Sequence, residues 1–355
     1  MLAERVDRTG HGLQRAFLLT LLQHLTMAQA TTKDTEGTQD VKPKEGAIAG
    51  LPNLVLAIEE PELYQHPNRQ RHLAFILMRL ASGAVPGVAK RTQVIYATHS
   101  PFFVGIDRVD QIRLLRKVPG DKMAPKITRI ISTSMEHAAE ILWKANGATG
   151  PKYTPETLRA RLQAVMTPWM SEGFFADTVV LVEGEDDRAA ILGAASRRGV
   201  NLDSVGISVL PCGGKTNMDR PAVIFGELGI RVYLVWDSDR GDPKAKAEDN
   251  QRLLRLMGAF VEDWPSGVYE RFACFEVNLE ETLKAELGEA NYEAWLSQAE
   301  TEFAIPKRKH VTKNPAAVAG ILELAAGAGK RSATLEAIVD KVLNTVAAVA
   351  KGGDA

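Results

Sequence analysis

The chain has 355 residues, enough for about two domains at roughly 150 residues per domain. Hydrophobic residues make up 45% and charged residues 25%, a balance that excludes a disordered, collagen-like or disulfide-rich protein. The two cysteines, Cys212 and Cys274, are too few for a cysteine zinc cluster and are expected to be reduced thiols of a cytoplasmic protein. No run approaches the roughly 18 apolar residues of a membrane span, so no membrane partner is expected.

The formal net charge of -1 conceals two regions of opposite sign. Residues 1–175 contain 22 Lys and Arg against 16 Asp and Glu, whereas residues 176–315 contain 17 against 24. A passive nucleic-acid binder normally has a basic face. The acidic second region with its clustered carboxylates is better suited to binding cations.

The sequence pattern predicts a helix and a loop within the first 50 residues. Arg5, Arg8 and Arg15 followed by an apolar run imitate a secretory signal, but Glu4 and Asp7 add acid and favour an internal helix. Residues 31–50 are polar and are expected to form a loop or insertion.

A first strand–helix–strand unit is predicted from residue 54 onward. Residues 54–58 are an apolar strand, residues 72–80 have helical periodicity, and residues 93–97 form a second apolar strand. This order predicts a parallel strand pair. Residues 136–175 are expected to be a helical linker, interrupted by glycines and prolines.

A second α/β unit is predicted after this linker. Apolar strands are expected at residues 179–182, 205–210 and 232–236, with a helix at residues 187–195. From residue 283 onward the pattern is helical. Parallel strands with intervening helices are typical of an open α/β fold that binds ligands at the carboxyl ends of its strands.

Three short motifs in the first region resemble parts of ABC-type ATPases. Glu59 and Glu60 end the first apolar strand, as in a Walker B element that serves a nucleotide's Mg²⁺ and attacking water. His99 follows the second strand and resembles the switch histidine that contacts the γ-phosphate. Upstream, Gly10, Gly12 and Gln14 lie at the start of a helix and resemble the ABC signature.

Each of these motifs has a simpler explanation when it stands alone. Glu-Glu-Pro is a common helix start, Thr-His-Ser-Pro a common turn, and Gly-His-Gly a possible linker. Their order and their strand–helix–strand context favour the ATPase interpretation. No Gly-x-x-x-x-Gly-Lys-Ser/Thr phosphate loop occurs in the sequence. The chain is therefore expected to be a shortened ATPase or a subunit that serves another chain's nucleotide site, and to use ATP only with a complementary Walker A segment or subunit.

Acidic residues also follow two strands of the second region. Glu183 comes directly after residues 179–182, with Asp187 four positions on, and Asp237 and Asp239 end the strand at residues 232–236. Parallel strands bring such residues to one edge of a sheet. Four converging carboxylates repel one another unless cations bind between them, and Mg²⁺ prefers oxygen ligands. A solvated acidic loop is the simpler alternative.

This arrangement resembles the TOPRIM pattern, a Glu-Gly with an acid four residues on and a later Asp-x-Asp. Further along, Glu280 near Asn278 and Lys313 after Lys307–Lys309 are candidates to complete the site. A lysine beside the scissile phosphate stabilises transition-state charge. An N-cap role for Asn278 and a solvated basic turn are equally consistent with the sequence.

ABC-type half-motifs followed by a TOPRIM domain resemble the overcoming-lysogenization-defect (OLD) family of ATPase–nucleases. The resemblance implies an α/β fold, with the C-terminal half of an ABC-type ATPase domain at 1–135 and a helical linker at 136–175. A Rossmann-like TOPRIM nuclease domain at 176–315 and C-terminal helices at 316–355 follow. It also implies metal ligation by Glu183, Asp187, Asp237 and Asp239, with Glu280 as a further ligand, and it assigns the catalytic lysine to Lys313.

The implied activity is DNA endonuclease chemistry with two Mg²⁺ or Mn²⁺ ions, in phage defence or DNA processing. The implied partners are DNA, other copies of the chain through the ATPase region, and a helicase-like protein. A topoisomerase is disfavoured because none of the six tyrosines lies in a convincing nucleophile context, and a primase because its zinc module needs more cysteines. A non-catalytic or regulatory interaction subunit of DNA repair, dependent on a partner that supplies Walker A, stays open.

Overall fold

The computed structural model describes residues 54–82, 92–118 and 125–350. The chain divides into two compact units, residues 1–103 and residues 104–355. Within the described ranges, no helix combines the length and apolarity that crossing a membrane requires.

The first unit contains the predicted strand–helix–strand element. Strands β1 (Leu54–Glu59) and β2 (Thr92–Ala97) pair in parallel, with Glu59 opposite Ala97. Helix α1 (Pro67–Ala81) buries its apolar side against one face of this pair. The other face carries exposed apolar side chains, Val55 and Ile95 among them. The predicted parallel pair is confirmed.

The second unit begins with a short 3-10 helix and a hairpin. The 3-10 helix spans Ile106–Gln111, and strands β3 (Leu114–Val118) and β4 (Ile127–Ile131) pair in antiparallel fashion. The hairpin is absent from the predicted elements, since its residues mix basic and apolar side chains without a strict alternation. The guanidinium of Arg116 donates to the carbonyl of Ala176 at 2.7 Å, which ties the hairpin to the start of the main sheet.

The predicted helical segment packs into the core of this unit. It consists of α2 (Met135–Ala145), α3 (Pro155–Ala164), α4 (Pro168–Glu172) and a 3-10 turn at Gly173–Phe175. Leu158 and Leu162 of α3 are completely buried. Helices lie in the segment where the sequence predicts them, and these side chains belong to the main hydrophobic core.

A five-stranded sheet organises the rest of the second unit, in the order β6-β5-β7-β9-β8. All neighbours are parallel except β8 and β9. The strands are β5 (Thr178–Val182), β6 (Ile207–Pro211), β7 (Arg231–Asp237), β8 (Gly267–Val268) and β9 (Phe272–Phe275). The helices are α5 (Glu185–Arg197), α6 (Asp219–Glu227), α7 (Ala247–Met257), α8 (Leu279–Leu287), α9 (Glu289–Glu302), α10 (Arg308–Val311), α11 (Pro315–Gly327) and α12 (Ala333–Ala350).

Helices cover both faces of the sheet. Along β5, Val179 and Leu181 contribute to the core beneath α6 and α7, whereas Val180 and Val182 contribute to the core beneath α5 and α11. This alternation follows from the two-residue period of a strand, and burial on both faces explains why the strand is continuously apolar.

The compact units differ from the predicted domain limits at two places. Ile106 and Val109 pack in the same core as the helices of residues 136–175. The boundary between the two compact units therefore lies at 103/104, whereas the predicted domain boundary lies at 135/136. Helix α11 lies against α5, where a Cβ on Gly193 would meet the Pro315 carbonyl oxygen at 2.8 Å. The predicted separation at 315/316 therefore falls inside one packed layer.

Candidate active site

Glu183 and Asp237 meet at the carboxyl edge of the central sheet. Strands β5 and β7 are parallel neighbours, so the residue after β5 lies beside the last residue of β7. The Glu183 carboxylate accepts a hydrogen bond from the Asp237 backbone N–H at 2.8 Å. The Asp237 carboxylate accepts one from the N–H of Leu279 at the start of α8, at 3.1 Å. The structure thus brings together acids that are 54 positions apart in the chain.

Asp187 lies in the first turn of α5 and is buried. Its carboxylate accepts a hydrogen bond from the Gly184 N–H at 2.9 Å. An acidic side chain in a first helical turn is favoured by the free N–H groups and the helix dipole there. The contact holds the Asp187 carboxylate close to the end of β5.

Asp239 follows β7 in a loop that a buried amide holds in place. Asn250 donates to the Ser238 carbonyl at 3.0 Å and accepts from the Trp236 indole N–H at 3.1 Å. Asp239 itself has φ of 59°, a left-handed conformation that is uncommon outside glycine, although aspartate tolerates it better than most residues. Its N–H donates to the Val277 carbonyl at 3.0 Å, which fixes the backbone.

Lys215 contacts the acidic cluster and is absent from the site residues predicted from the sequence. Its ammonium donates to the Asp239 carboxylate at 2.6 Å and to the Asp237 carbonyl at 2.5 Å. Its backbone N–H donates to the Glu183 carboxylate at 3.2 Å. The one available signal was the Gly213-Gly214 pair, which begins two residues after the end of β6, since paired glycines mark a tight turn at a parallel strand's carboxyl end.

Burial and mutual repulsion raise the pKa values of three of these carboxyls. Loss of water raises the pKa of Glu183 to about 7, although the Asp237 N–H works in the opposite direction. Burial likewise raises the pKa of Asp187 to about 6. The pKa of Asp237 rises to about 8, first from burial and then from the nearby charges of Asp187, Glu183 and Asp239. Such shifts in a cleft are typical of functional sites.

The carboxyls of Glu183, Asp187 and Asp237 line a cleft of about 500 Å³. Glu280 lies at this cleft and pairs with Lys284 at 2.9 Å. The side chain of Asn278 accepts from the Glu281 N–H at 2.8 Å, so it has the N-cap role of α8. The deeper walls are apolar and come from α5, α8, α9 and α11.

The predicted catalytic lysine lies beside the acidic segment but on a different acid. The Lys313 ammonium pairs with the Asp186 carboxylate at 3.4 Å, and the hydroxyl of Thr312 donates to the same carboxylate. The Lys313 side chain is 46% exposed. Lys313 therefore contacts the residue that precedes Asp187 in the sequence. Its catalytic role stays a prediction.

The donor chemistry of the four acids fits a hard divalent cation. All are carboxylates, and three of them line one cleft with raised pKa values, which a cation between them would lower again. In the ranges that the structure describes, no three His, Cys, Asp or Glu side chains are arranged to hold a metal ion together. In the structure the carboxylates of Glu183, Asp187 and Asp237 are held by backbone N–H groups, and the carboxylate of Asp239 is held by Lys215.

The candidate ATPase residues lie in the first unit. Glu59 is the last residue of β1 and Glu60 follows it, and the His99 imidazole lies 3.8 Å from the Glu60 carboxylate. Glu62, which the sequence interpretation passed over, accepts from the Thr98 hydroxyl at 2.7 Å and from the His99 N–H at 2.6 Å. It thereby shapes the turn that carries the histidine. Gly10, Gly12 and Gln14, together with the predicted N-terminal helix, lie outside the described residues.

Two family models match the chain. Residues 5–104 match an AAA ATPase domain, and residues 174–239 match the TOPRIM domain of overcoming-lysogenization-defect-like proteins. The second match includes Glu183, Asp187, Lys215, Asp237 and Asp239. Glu280 and Lys313 lie beyond it.

Two curated relatives are OLD nucleases. The protein from Thermus scotoductus is 30% identical over 218 residues, which is 57% of this chain and 37% of the relative. The protein from Escherichia phage P2 is 23% identical over 247 residues, 66% of this chain and 33% of the relative. The chain thus spans about a third of the length of these relatives.

One solved structure among the similar ones is the C-terminal region of the Burkholderia pseudomallei OLD protein. It shares 22% identity with a TM-score of 0.35, and the match covers 48% of this chain and 99% of that one. The two family models match in the order ATPase domain and then TOPRIM domain. The chain is therefore similar to overcoming-lysogenization-defect proteins, with an ATPase-type match at residues 5–104 followed by a TOPRIM match at residues 174–239.

Proposed function

We propose that this chain is a metal-dependent endonuclease that hydrolyses phosphodiester bonds of DNA. The observation that carries the proposal is the convergence of Glu183, Asp187 and Asp237 in one cleft at the carboxyl ends of parallel strands. Burial, and after it the charges of the neighbouring acids, raises the pKa values of Glu183 and Asp237, so ionising these carboxyls together without a cation is costly. The match to the TOPRIM domain model and the nuclease names of the relatives support the same conclusion.

The four acids, with Glu280 as a further ligand, are proposed to hold Mg²⁺ or Mn²⁺, two ions in all. Such ions supply the Lewis acidity that phosphodiester hydrolysis requires. The protein's part is to fix the acids through backbone hydrogen bonds, as the N–H groups of Asp237, Gly184 and Leu279 do here. Lys313, paired with Asp186 beside the site, is proposed to stabilise the charge that develops on the scissile phosphate.

The ATPase-type region is proposed to control or assist cleavage. Glu59, Glu60 and His99 lie at the ends of two parallel strands, where ATPases bind the nucleotide's phosphates and Mg²⁺. ATP use is proposed to require a complementary Walker A segment or subunit, and copies of the chain are proposed to associate through this region. A cytoplasmic role in phage defence or DNA processing, with a helicase-like partner, fits the family.

A second candidate function is a non-catalytic interaction subunit that depends on a partner with Walker A. The Lys215–Asp239 ion pair favours it, because an internal cation there satisfies part of the acidic cluster without any metal. The two candidates differ in one respect that is easily measured. The nuclease binds divalent ions at the TOPRIM acids, and the interaction subunit does not.

The test is plasmid cleavage by the purified chain in millimolar Mg²⁺ or Mn²⁺. We expect Asp237→Ala to reduce cleavage at least a hundredfold, because the remaining acids cannot fix the ions. Asp242→Ala is the matched control, since Asp242 is an exposed acid in the same loop, and it should cleave like the parent. Cleavage by Asp237→Ala at the parental rate in matched metal overturns the assignment of the site.

A further inference from the structure

One buried lysine contacts three of the four acidic positions. The Lys215 side chain is only 8% exposed. Its ammonium binds the carboxylate of Asp239 and the backbone carbonyl of Asp237, and its N–H binds the carboxylate of Glu183. The hydrocarbon stem is covered while the charged end reaches the acids, as is common for lysines at the border of a core.

The glycines before Lys215 give it this position. Gly213 and Gly214 have φ of 71° and 125°, a region that side chains with a Cβ rarely adopt. The Gly214 N–H donates to the Glu183 carbonyl at 2.9 Å, so the chain after β6 turns tightly over the end of β5. Lys215 begins a 3-10 turn at Lys215–Asn217, and its side chain extends toward the end of β7.

The other lysines near the site are placed differently. Lys313 is 46% exposed and pairs with Asp186, and the ammonium of Lys284 pairs with Glu280 and Glu281 on the same helix. Exposed ion pairs of this kind contribute little, since water and salt screen them. The Lys215–Asp239 pair is shielded on the lysine side, so its effect on the neighbouring acids is larger.

In this geometry Lys215 and a divalent ion would compete for the same carboxylate. The Asp239 carboxylate oxygen that accepts from Lys215 is unavailable to a second cation while the hydrogen bond persists. An ammonium beside a divalent ion also repels it. At about 6 Å in a water-like dielectric, that repulsion weakens metal binding by about tenfold.

We propose that Lys215 is a positioning residue that acts as an internal counter-cation of the acidic cluster. A divalent ion must break the ion pair between Lys215 and Asp239 before it can bind the fourth carboxylate. The proposal rests on the proposed metal-dependent function and adds to it the residue that sets the metal affinity. Lys215 acts through Asp239, which it holds by the ion pair. It stabilises the acidic cluster without metal and weakens metal binding for the same reason.

The test is Mn²⁺ titration of the full chain by calorimetry, together with thermal melts in chelator. Lys215→Met keeps the length of the stem and removes the ammonium. We expect it to bind Mn²⁺ about tenfold more tightly than the parent and to melt at a lower temperature in chelator. Lys215→Arg retains the charge and should restore near-parental values for both measurements. The matched control is Lys152→Met, which removes an ion pair with Glu140 away from the cleft and should leave Mn²⁺ affinity unchanged.

A purely structural role for Lys215 predicts a different pattern, namely weaker or unchanged Mn²⁺ binding by Lys215→Met. That result overturns the inference. If Lys215→Met does not fold, Lys215→Gln replaces it, because an amide still donates to Asp239 without carrying charge, and the same tightening is expected. Failure of the parent itself to bind Mn²⁺ refutes the proposed function, whereas parental binding without tightening in the variants refutes only the role of Lys215.

Discussion

Both units of the chain place acids directly after an apolar parallel strand, but the acids are held in different environments. In the first unit, Glu59 is exposed and Glu60 is 37% exposed, after a strand with one described partner. In the second unit, Glu183 follows a strand that has neighbours on both sides and helices over both faces. Burial there raises the pKa of Glu183 to about 7. The same local sequence pattern therefore gives exposed acids in one unit and buried acids with raised pKa values in the other.

The largest effect expected from this difference is the response to metal. In the parent, millimolar Mg²⁺ should raise the free energy of unfolding, by about 2.7 kcal/mol at one hundred times the dissociation constant. The double change Glu183→Gln with Asp237→Asn should abolish this response. Without metal the variant should melt at or above the parent, because the carboxylate repulsion is gone. Thermal melts in chelator and in Mg²⁺ measure both quantities.

The control for this measurement is the corresponding pair in the first unit. Glu59→Gln with Glu60→Gln should keep the parental response to Mg²⁺, since these acids are not crowded together by packing. Equal shifts for the parent and the Glu183/Asp237 variant would mean that the acids of the second unit are a solvated surface as well. The comparison between the units would then fail.

The close contact of α5 with α11 is a second way to test why the acids of the second unit are buried. A methyl group on Gly193 would meet the Pro315 carbonyl at 2.8 Å and the Ala319 nitrogen at 3.0 Å. Gly193→Ala is expected to lower the free energy of unfolding by about 1–3 kcal/mol and to weaken Mg²⁺ binding, because α5 carries Asp187. Urea denaturation measures the first effect and metal titration the second.

Gly226→Ala in α6 is the matched control, because a Cβ there meets nothing within 4 Å. It should raise the free energy of unfolding by about 0.5–1 kcal/mol, since alanine loses less backbone entropy than glycine in a helix. A stabilising effect of Gly193→Ala as well would mean that the two helices separate at little cost.

The pH dependence of stability should also distinguish the units. In the second unit the pKa values of Asp187, Glu183 and Asp237 rise to about 6, 7 and 8, from 3.8, 4.5 and 3.8. The folded chain thus binds more protons than the unfolded chain between about pH 4 and pH 8. In chelator its stability is greatest at the acid end of this range and falls as the pH rises. Asp237→Asn should flatten the upper part of the curve, and a rise of stability across this range in the parent would contradict the shifts.

The smallest expected effect concerns ATP. The purified chain should not turn over ATP, because none of its 355 residues forms a phosphate-loop sequence beside the Walker-B-like acids. Glu60→Gln should therefore change nothing in a phosphate-release assay. Turnover that disappears in Glu60→Gln would reveal a phosphate-binding loop of another sequence and would make the first unit a working nucleotide site.

The sequence by itself determined strands β1, β2, β5, β6 and β7, most of the helices and the acids at the ends of these strands. Short-range patterns are sufficient for this. Burial on both faces makes β5 continuously apolar, and Glu183 and Asp237 are recognised as acids at the ends of apolar strands. The motif order also indicated the family. These features depend on residues that are close together in the sequence, so they can be predicted without knowledge of the three-dimensional contacts.

The tertiary structure alone decided which side chains meet. It placed Lys215 on Asp239, 24 positions away, and directed Lys313 to Asp186. It also packed the linker helices and α11 into one unit with the sheet. The physical reason is that contacts between distant residues depend on strand order, on the turn made by Gly213 and Gly214, and on the close approach at Gly193. None of these three is encoded in a local pattern of hydrophobic and polar residues.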